Sequence, residues 1–234
     1  VLWEFTSADD SDVGYMSSPP IIAMMENEKW AVIFGNGYNS DGGLAKLFIV
    51  YIEEGLDGTW SSSDYVEIDT EVGSVANKNG LSGVAVADTD GNSLADRVYA
   101  GDLQGNMWAF DLSNSSDGQW QSAYKSGSTP KPLFVASDGS SNIQPITAAP
   151  NLAYNSEAIS DRNVLVTFGT GQYLATGDDS DTSTQSYYTV WDKGGGLLDR
   201  DDLIERVLER DGTKRSITTG ATIDWAGDLG WFFD

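Results

Sequence analysis

Neither cysteine nor histidine occurs anywhere in the 234 residues. Their absence removes whole classes of chemistry. No disulfide framework, thiolate metal site, cysteine nucleophile or Ser-His-Asp triad can be assembled from this chain. Zinc and copper centres of the usual kinds go with them, because imidazole and thiolate are the ligands those ions favour. Basic residues are scarce as well, with 13 Lys and Arg against 36 Asp and Glu and a formal net charge of −23. A field of that sign repels nucleic acid and anionic lipid and favours cations, so DNA and RNA partners are excluded. No apolar run reaches the roughly 18 residues of a membrane span, and no signal peptide is visible.

What is plentiful is glycine (26), spread along the chain, with 8 Trp, 10 Tyr and 8 Phe. That mixture suits many short strands joined by tight turns. Three segments share an apolar-apolar-Gly core: Val32–Gly37, Val98–Asp102 and Val166–Gly171. Each is followed by a strand-like run, at 47–51, 107–111 and 187–192. Each is preceded by a strand rich in small residues or proline, at 20–24, 84–87 and 146–150. Outer segments such as 60–68 and 120–124 complete four-stranded units. Repeating units of this kind predict an all-β fold, a β-propeller of four-stranded antiparallel blades, with glycine and alanine where neighbouring sheets crowd together. Leu2–Phe5 resembles the third strand of a blade, and Trp225–Asp234 echoes 99–111. The chain is therefore expected to supply three to four blades of a single larger ring, beginning and ending inside blades. One stretch breaks the β rhythm. Around residues 199–210, acidic residues open a segment whose apolar positions 203, 204, 207 and 208 share a helical face, which predicts a short inserted helix ended by Gly212.

The sharpest chemical signal is the loop 88–96, Asp-Thr-Asp-Gly-Asn-Ser-Leu-Ala-Asp. Oxygen-bearing side chains fall at its first, third, fifth and ninth places, the spacing a hard cation such as Ca²⁺ needs. Asp88, Asp90, Asn92 and Asp96 supply side chains, and Leu94 can supply a backbone carbonyl. The loop is not an EF-hand, which wants Gly at the sixth place and Glu at the twelfth; Ser93 and Tyr99 stand there, and the flanks read as strands. A plain Asx-type turn is the alternative, since Asp-Gly and Gly-Asn form turns unaided. Asp9–Asp12 and Asp178–Asp181 are poorer cation candidates and read better as solvated loops.

The stretches Trp30–Ser40, Asp88–Trp108 and Phe168–Leu174, followed by Thr184–Tyr188, resemble in order the C-terminal propeller of the PilY/PilC family, tip-associated biogenesis factors and adhesins of bacterial type IV pili. The resemblance implies a non-catalytic, calcium-bound propeller that promotes pilus assembly, opposes retraction and contacts host or abiotic surfaces. Minor pilins are the implied partners, and the implied location is extracellular, at the outer membrane and pilus tip. It maps the calcium ligands onto Asp88, Asp90, Asn92, Leu94 and Asp96. The chain departs from the family in lacking an Arg-Gly-Asp tripeptide and the N-terminal half of such proteins. Two other readings compete: a quinoprotein dehydrogenase propeller binding pyrroloquinoline quinone, and a generic adhesive docking propeller. Against the quinoprotein, the cation loop is self-contained on one hairpin, which leaves little coordination for a quinone, and an adjacent cysteine pair is absent.

Overall fold

A computed structural model of the chain describes residues 2–157, 163–217 and 222–234. The first sheet is a meander of four antiparallel strands, β1 (Ile21–Met24), β2 (Trp30–Gly35), β3 (Leu44–Tyr51) and β4 (Tyr65–Gly73). The second runs β5 (Leu81–Ala87), β6 (Arg97–Asp102) and β7 (Asn106–Asp111), and its outer place is shared by two short strands. One is β8 (Gln121–Ser122). Between them a hairpin of β9 (Tyr124–Ser126) and β10 (Thr129–Lys131) turns away, and β11 (Phe134–Val135) returns to β7. The third sheet starts with β12 (Asn151–Tyr154), β13 (Val164–Gly169) and β14 (Tyr187–Asp192). Beyond β14 come β15 (Ile204–Glu205), a hairpin of β16 (Leu208–Asp211) and β17 (Lys214–Ile217), and β18 (Gly230–Phe233). β18 takes the fourth, antiparallel place, and β15 adds a parallel edge.

Strand alternation explains the packing, because successive residues point to opposite faces. Val98, Ala100, Trp108 and Phe110 leave one face of the second sheet and meet Ile33, Leu47 and Ile49 of the first. Tyr99, Met107 and Ala109 leave the other face and meet Val166, Phe168, Tyr188 and Val190 of the third. The middle sheet is thus buried on both sides, and each large apolar side chain withdrawn there contributes about 1.5–3 kcal/mol. Gly35, Gly101 and Gly169 hold equivalent places, at or next to the end of the second strand of each sheet, opposite Leu47, Met107 and Tyr187. A Cβ on Gly35 would stand 2.1 Å from the Ser82 carbonyl oxygen and one on Gly101 2.2 Å from the Ile146 side chain. Glycine at these two places is what lets neighbouring sheets approach. At Gly169 the nearest atom belongs to Tyr187, at 3.8 Å.

Several local expectations are corrected. Residues 199–210 are not a helix. Arg200–Asp202 make a single 3-10 turn capped by the Asp199 side chain, Ile204–Glu205 pair in parallel with β18, and Leu208–Asp211 turn back at Gly212 to pair with Lys214–Ile217. Gly212 has φ 58°, the left-handed conformation an Asp-Gly hairpin turn uses, and tertiary pairing overrides a helical periodicity only a few residues long. The third sheet begins at 151, not at 146–150. Ile146 bridges to Gly171 and packs over Gly101, so it belongs to the contact between sheets. Leu2–Phe5 form no strand. Trp3 and Phe5 pack with Trp60 and Tyr65 over the outer face of the first sheet, where Trp3 donates its indole N–H to the Ile52 carbonyl. In Trp225–Asp234, residues 230–233 complete the third sheet rather than repeat the second and third strands of a blade.

Candidate metal centre

Loop 88–96 joins β5 to β6, and its shape is held by its own side chains. Gly91 and Ser93 take left-handed backbone conformations, φ 80° and 73°. The Asp88 carboxylate accepts the N–H groups of Gly91 (2.7 Å), Asn92 (3.2 Å) and Ser93 (2.7 Å). Burial works against its charge, but these donors prevail and hold its pKa below the ordinary aspartate range. The Asn92 side-chain oxygen accepts the Leu94 N–H at 2.7 Å, which fixes the backbone on either side of Ser93.

At the loop's end Asp96 is 3% exposed. Its Oδ2 accepts the Thr89 N–H and hydroxyl at 2.9 and 2.7 Å. Its Oδ1 is buried with no hydrogen-bond partner. Burial pushes the Asp96 carboxyl up, and the charges of Asp90 and Asp88 add to the effect against the Thr89 donors. Carboxylate oxygens of Asp90, Asp96 and Glu26 lie within 4.8 Å of one another. The Asn92 amide NH₂ donates to Glu26 at 2.9 Å and to Asp90 at 3.1 Å. A buried, orphaned carboxylate oxygen among like charges is expensive unless a cation supplies the missing partner, and an all-oxygen donor set suits a hard divalent ion.

Of the residues expected from the sequence, Asp90, Asn92 and Asp96 come together, and Asp88 organises the loop that carries them. Sequence reasoning missed Glu26. It stands in the turn between β1 and β2, 66 residues from Asn92, and no spacing rule reaches that far. Only its place in a tight turn between two strands hinted at exposure. Sequence reasoning also missed Tyr154 of β12, whose hydroxyl donates to the Asp88 carbonyl at 2.7 Å. All three sheets therefore touch this loop.

The weaker acidic clusters have other partners. Oxygens of Asp10, Asp12 and Glu67 also lie within 4.8 Å of one another, but the Lys46 ammonium sits there, 2.5 Å from Asp12 and 2.6 Å from Glu67. Burial disfavours that ammonium, yet its bonds to Asp12 and Glu67 hold its pKa above the usual lysine value. Asp178 accepts the N–H groups of Leu174 and Ala175, and Asp9 the N–H and hydroxyl of Thr6. These are turn caps.

Three antiparallel sheets packed face to face in series, each second strand carrying glycine at or next to its end, define a segment of β-propeller. The chain belongs to the PilY1 beta-propeller domain family, which matches residues 6–209. It is 36% identical to a type IV pilus biogenesis factor PilY1 homolog of Xylella fastidiosa over 241 residues, covering all of this chain and 16% of that protein. It is also 36% identical to the type IV pilus biogenesis factor PilY1 of Pseudomonas aeruginosa strain UCBPP-PA14 over 211 residues, covering 82% of this chain and 17% of that protein. The crystal structure of the Pseudomonas aeruginosa PilY1 C-terminal domain superposes with a TM-score of 0.82 at 29% identity, covering the whole of this chain and 52% of that one. The chain thus spans about a sixth of the length of the curated relatives it matches. Among the described residues no helix is long and apolar enough to cross a membrane.

Proposed function

We propose that this segment is the non-catalytic calcium-responsive part of a type IV pilus biogenesis factor. One Ca²⁺ sits in loop 88–96 on Asp88, Asp90, Asn92, Asp96 and the Leu94 carbonyl. Its occupancy biases the pilus between extension and retraction and sets attachment to host or abiotic surfaces. Minor pilins are the partners, and the protein acts outside the cell at the outer membrane and pilus tip.

The observation that carries the metal is the buried, unpartnered Oδ1 of Asp96, on a carboxylate that lies within 4.8 Å of those of Asp90 and Glu26. The family relationship carries the pilus role. Without the ion the loop gathers negative charge and is held by its own turn bonds. Binding couples to local order, and at a hundredfold excess over the dissociation constant linkage gives about 2.7 kcal/mol of stabilisation. Mg²⁺ substitutes poorly, because it demands a strict octahedron and keeps its waters.

The test is thermal unfolding of the intact protein with Ca²⁺ and with chelator, alongside Asp96→Ala. The wild type should gain in Tm with Ca²⁺ while the variant folds but no longer responds, and cells carrying the variant should change in surface piliation. A wild-type melting curve indifferent to both calcium and chelator would leave the loop an ordinary Asx turn.

A further inference from the structure

We propose that Glu26, carried by the first sheet, is a direct ligand of the cation in the second sheet's loop, so that the ion fastens two blades together. The inference rests on the calcium reading above and adds to it a ligand from outside the loop.

Two oxygens bound to one Ca²⁺ stand at most about 5 Å apart, twice the metal–oxygen distance. The carboxylate oxygens of Glu26, Asp90 and Asp96 meet that condition pairwise, lying within 4.8 Å of one another. The orphaned Oδ1 belongs to Asp96, the most buried of the three, so the carboxylate with a missing partner is one of those that Glu26 joins. Glu26 is half-buried, and its Oε1 already accepts from Asn92, itself one of the loop's oxygen-bearing residues.

The turn that carries Glu26 is held in place from both sides. The Ala95 N–H donates to the Met24 carbonyl at 2.8 Å, and Met25 bridges to Ala95. On the far side the Asn27 amide donates to the Tyr51 hydroxyl at 2.8 Å, which donates in turn to Asp117 of the second blade at 2.6 Å. Met25 is wholly buried in the core between the two sheets. Glu26 is therefore presented by a fixed scaffold, so little ordering entropy opposes its ligation. A fourth carboxylate also raises the negative charge of the donor set, which favours Ca²⁺ over neutral-ligand competitors and tightens binding.

Calcium titration calorimetry on the chelator-stripped intact protein tests this, together with terbium luminescence lifetimes in H₂O and D₂O, which count the waters on the bound ion. Glu26→Gln removes the ligand charge. Glu28→Gln, in the same turn and exposed, removes an equal charge without touching the cluster. The expectation is a dissociation constant raised at least about tenfold in Glu26→Gln, with about one more water on terbium, and little change in Glu28→Gln. If Glu26→Gln matches Glu28→Gln in both readouts, Glu26 is not a ligand, whatever the loop does. If the wild type binds neither ion, the calcium reading itself falls and takes this inference with it. Should Glu26→Gln fail to fold, Glu26→Asp keeps the charge and withdraws the carboxylate by one methylene. Weaker binding with an added water then supports direct ligation, and wild-type behaviour overturns it.

Discussion

The carboxylate of Asp102 accepts the indole N–H of Trp108 at 2.9 Å, and both side chains are wholly buried. Asp102 closes the second strand of the middle sheet just after Gly101, and it also accepts from Asn79 and Asn106. Asn36 does the corresponding work after Gly35, taking the N–H groups of Lys46 and Leu81 on its side-chain oxygen. The residue after the crowding glycine is thus the polar anchor of its blade.

Asp102→Ala would leave Trp108, Asn79 and Asn106 as buried donors without that acceptor. An unsatisfied buried polar group costs about 1–3 kcal/mol, so the variant should lose about 3 kcal/mol or more. Chemical denaturation checks the value; a loss below 1 kcal/mol would mean that water replaces the carboxylate.

Arg97 opens β6 and Asp192 ends β14, and their charges meet at 3.0 Å between the second and third blades. The Tyr99 hydroxyl donates to Asp192 at 2.7 Å, and the Tyr124 hydroxyl binds it as well. Asp192→Ala should cost about 3–5 kcal/mol, because it leaves a buried guanidinium with only the more distant Asp111 carboxylate, at 3.8 Å, as counter-charge. The double variant Arg97→Met, Asp192→Leu should lose less than Asp192→Ala alone, a non-additivity that a double-mutant cycle measures.

Gly35→Ala should destabilise by about 1–3 kcal/mol, because its methyl would collide with the backbone carbonyls of Leu81 and Ser82, which cannot swing aside. Gly169→Ala meets only ordinary contact with Tyr187 and should fall well below that. Equal losses in parallel unfolding curves would refute the idea that glycine marks the approach of one sheet to the next.

Asp234 forms a two-pronged pair with Arg200, at 2.9 and 2.6 Å, and docks the 3-10 turn beside β18. Hydrogen bonds from Arg200 hold the Asp234 carboxyl below its ordinary range. A carboxyl with a depressed folded pKa adds stability that is full above its unfolded pKa and lost as pH falls through its folded one. The gap in Tm between wild type and Asp234→Asn should therefore be constant near neutrality and close on acidification. A gap that widens in acid would reverse the assignment.

Blades were legible in the sequence because strands such as β6, with Gly101 next to its end, combine a steric signal with an alternating one, and both survive packing. The acidic loop 88–96 stood out as a candidate because five possible oxygen donors sit within nine consecutive residues. Glu26 was not, since it reaches Asn92 only through the stacking of one sheet on the next. At 199–210, positions 203, 204, 207 and 208 fit a helix as well as two short strands. What decided was the partner that β18 offers to Ile204, together with the Asp-Gly turn that pairs Leu208–Asp211 with Lys214–Ile217.

Lys46 gives the first blade's acidic constellation a counter-charge on a covalent tether. Dilution, chelators and seasonal changes in water hardness cannot remove it, so that corner has the same ionic state wherever the protein finds itself. The neighbouring constellation around Asp96 has no basic side chain among the hydrogen-bond partners found for it. Two similar concentrations of negative charge thus differ among the described residues: the chain itself neutralises the first, and the second is the one for which a cation is proposed. On the proposal that Ca²⁺ binds at Asp96, it is the seam between the first two sheets that answers to the mineral content of the medium.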